Sequence, residues 1–300
     1  MPRKIIYLIN PVSGTKPKTS LIKLLDKRTR EKHIDFDILH TQVGGDYKAL
    51  VRKVQHEKFT DVVICGGDGT VNAVAAALND YDVNVGIIPM GSGNGLAYTA
   101  KIPRQVSSAL DIIFEGKSSF IDAFYINEKF SCMLCGIGFD AQVAHEFAKQ
   151  KRRGLQTYIK VATIQYFKAR PYFFDLTINH KSIQTEAYFI CIANSNQFGN
   201  NFTIAPQASL NDGLLDVVIV KKMNKFMLPF SVISQVTGIN AIQSVSEFTS
   251  SRNILYMQAA EITIKNPHMA PLHIDGDPGE TSDLFNIRIQ KNCIRLLQPK

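Results

Sequence analysis

Aliphatic and β-branched residues open the chain in short dense runs, each cut off by glycine, proline or asparagine and followed by apolar side chains recurring every three or four positions. The run at 4–10, KIIYLIN, closed by Pro11 and Gly14, predicts a strand buried on both faces and then a turn. Leu21, Leu24 and Leu25 recur among charges and predict a helix over 19–32; residues 34–39 alternate as a second strand, and 47–56 return to the helical period. The cycle repeats: DVVIC at 61–65 runs into Gly66-Gly67-Asp68-Gly69-Thr70, an alanine-rich helix spans 71–78, and a strand at 83–89 leads to Gly91-Ser92-Gly93-Asn94 and a further helical stretch. Strands alternating with helices across glycine-rich turns predict a parallel sheet covered on both faces, an α/β domain over 1–122.

After Phe120 the rhythm changes. Residues 130–139, 173–178, 187–193, 215–220, 261–265 and 285–290 read as strands, with helical stretches at 144–167 and 226–243. This pattern predicts an antiparallel second domain over 123–284, the segment 285–300 returning to complete the first. No internal repeat or low-complexity linker separates them.

Composition narrows the class. Of 300 residues, 45% are hydrophobic and 20% charged, enough apolar material for real cores and too much for a disordered chain. No run reaches the roughly 18 apolar residues of a membrane-spanning helix, and the first residues read as strand and turn, not as a signal peptide, so a cytoplasmic protein is expected. The five cysteines, Cys65, Cys132, Cys135, Cys191 and Cys293, are odd in number and lack the second pair or histidines of a zinc site, so they are expected reduced and in the core. Thirty-four Lys and Arg against 26 Asp and Glu leave a net charge of +8, which favours anionic partners: nucleotides, nucleic acid or acidic lipid. The densest basic run, 149–153, reads as a solvated helix face or as a contact for phosphates or membrane.

The chemistry lies in the turns. A strand ending in Gly66-Gly67-Asp68-Gly69-Thr70 and opening onto a helix offers backbone N–H groups with no Cβ in the way, and the positive end of the helix favours an anion there. The plainer reading is a tight turn capped by Asp68 or Thr70. Asn10-Pro11-Val12-Ser13-Gly14 and Gly91-Ser92-Gly93-Asn94 also follow predicted parallel strands, however, and ligands of open α/β sheets bind at that edge. Three such turns favour a nucleotide site, although neither GxxxxGK[ST] nor GxGxxG is present.

In order along the chain, the NPxSG turn at 10–14, Thr41, GGDGT with Asn72, PMGSGNGLA at 89–97, Asp122, Arg153-Gly154 with Tyr158, NDGLLD at 211–216 and Asp275-Gly276-Asp277 resemble the diacylglycerol kinase catalytic-domain superfamily. That superfamily of lipid kinases includes bacterial soluble lipid kinases and sphingosine kinases. The resemblance spans nearly the whole chain. It implies a Rossmann-like nucleotide domain of the NAD kinase and phosphofructokinase kind, an antiparallel β-sandwich domain supplying the acceptor pocket, and reaction in the cleft between them.

The resemblance further implies that Asn10, Pro11, Val12, Ser13, Gly14, Thr41, Gly66, Gly67, Asp68, Gly69, Thr70, Val71, Asn72, Ala73, Gly91, Ser92, Gly93 and Asn94 line ATP, with Asp68 near its phosphates and Mg²⁺. Without a Walker lysine, positive charge would come from amides, Mg²⁺ and Lys16 or Lys18. The base for the acceptor hydroxyl would come from Asp275-Gly276-Asp277, where the family usually has DGE; Asp277 takes the glutamate's place one methylene shorter, and Asp275 and Glu280 are the other carboxylates in reach. Read without the family, Asp-Gly there is an Asx turn. The loop at 211–214 resembles the family's structural Mg²⁺ loop, which carries over as Asp212 with the carbonyls of Ser209 and Leu214. Gly95 stands where many bacterial members have Asp, leaving Asp68 and Asp122 to interact without that middle carboxylate, and leans toward a long-chain base or other non-glyceride acceptor.

The expected activity is ATP- and Mg²⁺-dependent phosphorylation of a membrane-lipid hydroxyl, diacylglycerol by default and sphingoid bases or phosphatidylglycerol next. The expected place is the inner membrane surface, held peripherally by contact with anionic lipid. Nucleic acid is not an implied partner, and a homodimer is compatible with the sequence. NAD kinase shares the GGDG turn, but its TPTGSTAY-like segment is absent here. A non-catalytic nucleotide- or lipid-binding module is the remaining alternative, kept open by Asp277 and Gly95.

Overall fold

The computed structural model describes residues 2–14, 17–42, 45–150, 154–197, 203–223, 249–250 and 254–300. The expected helix at 226–243, Lys16 and residues 151–153 of the basic run lie outside them. The chain divides into two compact units, Met1–Ile121 with Asn292–Lys300, and Asp122–Lys291.

In the first unit come β1 (Lys4–Ile9), α1 (Lys18–Glu31), β2 (Asp35–His40), α2 (Lys48–Glu57), β3 (Asp61–Gly66), α3 (Asp68–Leu78), β4 (Asn84–Pro89), α4 (Gly95–Thr99) and α5 (Val106–Glu115). The strands pair in parallel in the order β2-β1-β3-β4, and Arg295 and Leu296 from the chain's end add in parallel beside Asn84 and Val85. All six residues of β3 are buried, which is why it reads as an unbroken apolar run. The helices bury one stripe each: Leu21 and Leu25 of α1, Leu50 and Val54 of α2, Ala109, Leu110 and Ile113 of α5. Helix α3 starts at Asp68, earlier than the expected 71, because Gly67 is extended (φ −100°, ψ −177°) and the residues after it already turn.

Strand β5 (Lys117–Ile126) leads into the second unit. There follow β6 (Lys129–Ser131), β7 (Leu134–Gly138), α6 (Phe139–Ala148), α7 (Leu155–Lys168), β8 (Tyr172–Ile178), β9 (Lys181–Ala193), β10 (Leu215–Lys221), β11 (Thr249–Ser250), β12 (Ile254–Ala259), β13 (Glu261–Lys265), β14 (Leu272–Ile274), β15 (Asp277–Gly279) and β16 (Leu284–Gln298). The long β9 belongs to two antiparallel layers: its first half pairs with β8, its second half lies between β7 and β10. One layer runs β15-β14-β7-β9-β10-β12, the other β9-β8-β13-β16. Phe174, Leu176, Ile264 and Phe285 from one layer and Ile137, Ile190, Val217 and Met257 from the other share a single apolar core, so the unit is a β-sandwich.

Several boundaries differ from the sequence reading. The strand expected at 130–139 is broken at Cys132 and Met133, whose carbonyls are taken by the Asn194 side chain and by the amides of Asn194 and Ser195. The helical stretch expected at 144–167 is two helices, α6 and α7. Strands β5, β11, β12, β14 and β15 fall outside the expected strands. Residues 285–290 do not return to the first unit: Leu284 to Arg288 pair with β13, and the return comes at Asn292. All five cysteines are buried and free of disulfides. Among the described residues no helix is long and apolar enough to cross a membrane.

Candidate active site

Because β1, β3 and β4 are neighbours in parallel register, the turns at their carboxyl ends lie side by side. Asn10 joins the first to the second: its amide donates to the Cys65 carbonyl (3.0 Å), its side-chain Nδ2 to Thr70 Oγ1 (2.8 Å), and its Oδ1 accepts the Val12 amide (3.0 Å). The second and third meet through glycines. A Cβ on Gly91 would lie 2.6 Å from Gly67 Cα, so only bare backbone fits there. Asn94, left-handed at φ +57° and 3% exposed, closes the third turn by accepting the Gly91 amide and donating to the Gly91 carbonyl, both at 2.8 Å.

The Asp68 carboxylate accepts the Asn94 amide at 2.6 Å and also binds the amides of Gly95 and Leu96. It thereby caps α4 and ties the second turn to the third, a role the sequence reading did not contain. Burial, outweighing these amides, pushes its pKa up to about 6. The residue before α3 is Gly67, which has no side chain to cap it, and the first amides of that helix, which have no partner within it, face the turns. Pro11, Val12, Gly14, Gly69 and Ser92 are exposed; Ser13, Thr41, Asn72, Ala73 and Gly93 are half-buried; Gly66 and Val71 are buried. Lys18 donates its Nζ to the Ser13 carbonyl, which holds the first turn.

In the second unit, Asp275 and Gly276 are the two central residues of the hairpin joining β14 to β15, at φ +51° and +82°. A two-residue hairpin turn with positive φ at both positions is where Asp-Gly is favoured, so the motif makes a type I′-like turn and not merely an Asx turn. The Asp275 carboxylate is engaged inward: Oδ1 accepts Ser131 Oγ (2.7 Å) and the Leu134 amide (3.0 Å). Asp277 opens β15 and is exposed, as is Glu280 beyond it. Behind the turn lies His273, 2% exposed, within 3.3 Å of both Asp140 Oδ2 and the Gly276 amide. Neither His273 nor Asp140 was singled out from sequence; the signal lies in pairing, since Gly136 faces His273 across the ladder.

The 211–214 loop is closed by Asp212 Oδ1 accepting the Leu214 amide (3.0 Å) and by buried Asp122 Oδ2 accepting the Gly213 amide (2.8 Å). Ser209 Oγ donates to Asn211 Oδ1 (3.2 Å). Among the described residues no group of three or more His, Cys, Asp or Glu could hold a metal. A Mg²⁺ at this loop would therefore take one Asp212 oxygen, carbonyls and water, a donor set that suits a hard cation. The three glycine turns fit a phosphate chain by the same test, since bare backbone and the open end of α3 converge where a Cβ would intrude.

Comparison with known proteins follows the same division. Residues 4–126 match the diacylglycerol kinase catalytic domain, and residues 134–297 match the YegS C-terminal NAD kinase beta sandwich-like domain. The chain is similar to a diacylglycerol kinase of Staphylococcus aureus, 27% identical over 283 residues that cover 92% of this chain and 86% of the relative. It is also similar to a diacylglycerol kinase of Bacillus subtilis, 25% identical over 293 residues that cover 94% and 93%. A solved structure of a diacylglycerol kinase from Bacillus anthracis aligns with a TM-score of 0.72 over 99% of this chain and 97% of the other at 18% identity, a likeness of fold.

Proposed function

The chain belongs to the diacylglycerol kinase and YegS-like family of lipid kinases, and from that premise we propose that it transfers the γ-phosphoryl group of ATP to a hydroxyl of a membrane lipid, diacylglycerol first. The observation that carries the ATP reading is the meeting of the three turns of the first unit, with Gly67 against Gly91 beside the start of α3. Backbone amides there take the place of a lysine clamp on the phosphates. Mg²⁺, when bound, neutralises charge developing on them.

The acceptor oxygen attacks the γ-phosphorus as its proton passes to a carboxylate; the new O–P bond forms while the bond to the ADP oxygen breaks. Asp277 is the proposed base. It is exposed and stands where the family has its glutamate, while the Asp275 carboxylate accepts from Ser131 and Leu134 in holding the turn. Diacylglycerol leads among acceptors because the curated relatives bear that name.

Contact with an anionic bilayer is proposed through α7. Its outer face carries Ile159, Ile164 and Phe167, the last 72% exposed, beside exposed Lys160 and Lys168, in a chain of net charge +8. An apolar stripe flanked by cations suits the boundary between headgroups and acyl chains. Localisation at the inner membrane surface follows from the same reading.

The test is incubation of purified protein with γ-labelled ATP, Mg²⁺ and a panel of diacylglycerol, sphingoid base and phosphatidylglycerol. Label in the organic phase supports the reading and names the acceptor. Label confined to NADP when NAD is supplied, or ATP binding without turnover, would overturn it.

A further inference from the structure

His273 is the middle residue of β14, flanked across the ladder by Gly136 of β7 on one side and Pro278 of β15 on the other. A side chain at Gly136 would fill the space that the imidazole and Asp140 occupy: its Cβ would lie 2.5 Å from His273 Nε2 and closer still to Asp140 Oδ2. Asp140 comes from the first turn of α6, is 8% exposed, and uses its other oxygen to accept the Ala141 amide at 2.8 Å. The two side chains thus meet through a gap left by one glycine, beneath the turn that carries Asp275 and Asp277.

The hydrogen bonds fix which nitrogen is protonated. The Gly276 amide is a donor, so His273 Nδ1, 3.3 Å away, must accept, and a neutral imidazole with Nδ1 as acceptor carries its proton on Nε2. That proton points to Asp140 Oδ2 at 3.3 Å. A carboxylate held against one ring nitrogen sets the tautomer and leaves the other nitrogen free to accept. On the opposite side, Asp275 pins the same turn to Ser131 and Leu134.

We propose that the Asp140–His273 pair is a positioning device, in which His273 Nδ1 holds the Gly276 amide and so aims Asp277 at the acceptor hydroxyl. This rests on the reading of Asp277 as the base. His273 acts through the turn and touches no reacting atom. A misplacement of about 1 Å at a base costs about 100-fold in turnover, which is the scale of effect expected.

The test compares three variants of the full chain. In His273→Asn the side-chain oxygen sits near the former Nδ1 and still accepts from Gly276, whereas His273→Leu removes the acceptor. In Asp140→Asn the amide can donate to Nε2, which moves the proton to Nδ1. The expected result is a kcat loss of about 100-fold for His273→Leu and Asp140→Asn, less than tenfold for His273→Asn, and an unchanged KM for ATP in all three. Long-range ¹H–¹⁵N correlation spectra of wild-type protein should show the Nε2–H tautomer, a readout independent of turnover. The Nδ1–H tautomer in wild type, or equal losses in Asn and Leu variants, overturns the inference. Wild-type turnover by Asp277→Asn would instead overturn the assignment of the base, and the spectra would tell the two failures apart.

Discussion

Asp68 accepts the Asn94 amide at 2.6 Å, so the first turn of α3 and the first turn of α4 share one carboxylate. Asp68→Ala leaves the amides of Asn94, Gly95 and Leu96, all buried residues, without their acceptor. A loss of about 1–3 kcal/mol in stability is expected, together with a raised KM for ATP. Asp68→Asn keeps one acceptor oxygen and should lose less of both. Urea titration of the two variants, paired with ATP kinetics, separates them; full stability in Asp68→Ala would remove Asp68 from its capping role.

Gly91→Ala tests the contact between turns directly. Its Cβ would lie 2.6 Å from Gly67 Cα, which is backbone, and 2.9 Å from Asn94 Oδ1, so one turn must shift. Affinity for ATP should fall at least tenfold, because the amides that meet the phosphates ride on these turns. Nucleotide binding by calorimetry measures it, and wild-type affinity would mean that the Gly67–Gly91 approach is not part of the site.

The first unit was legible because its signals are local. An unbroken apolar run such as β3 and a glycine turn such as 66–70 occupy adjacent residues, and parallel strands covered on both faces leave no other reading. What the sequence hid depends on pairs distant along the chain. Nothing in HIDGD says that His273 faces Gly136, since that follows from antiparallel register. The two uses of Asp275 and Asp277 were equally hidden, because Asp275 lies in the left-handed turn and Asp277 begins the returning strand, a difference that exists only once the hairpin register is set. Strands β14 and β15 escaped notice for a related reason: each is three residues long, too short to display a period.

The difference between the two acids of the hairpin gives a further expectation. Asp277→Asn should reduce kcat by at least 100-fold while the melting temperature stays within a degree or two of wild type, since Asp277 is exposed. Asp275→Asn should lower the melting temperature by several degrees, because it changes the acceptor for Ser131 and Leu134. Scanning calorimetry beside initial rates checks both; a reversed pattern would exchange the two roles.

Phe167→Asp replaces the most exposed apolar side chain of α7 without removing any buried one. Sedimentation with vesicles of anionic lipid should fall severalfold, while turnover on a detergent-dispersed short-chain acceptor should be kept. Loss of both together would locate Phe167 in the fold of the enzyme and not at a bilayer.

The pH dependence of stability turns on buried carboxyls with raised pKa values. Asp216, fully buried on β10, is pushed up to about 6 by burial, which outweighs the hydrogen bonds it accepts from Tyr256 and Gln258. Its unfolded value is the ordinary 3.8. Between those two pH values the folded chain holds the proton more tightly than the unfolded chain, so this group favours folding below pH 3.8 and loses that advantage as pH rises to about 6. The displacement is worth on the order of 3 kcal/mol, and Asp68 adds a contribution of the same sign in the same window. Other carboxylates act oppositely: Glu57, Glu115 and Glu146 are lowered by lysine partners, so wild-type stability alone mixes the signs. Asp216→Asn isolates the effect. Its side-chain oxygen still accepts from Tyr256 but no longer titrates, so the variant should gain on wild type steadily from pH 4 to pH 6.5 and then run parallel to it. Unfolding free energies from urea titrations at half-unit intervals measure the difference, and parallel curves across that whole range would show that Asp216 does not keep its proton in the folded protein.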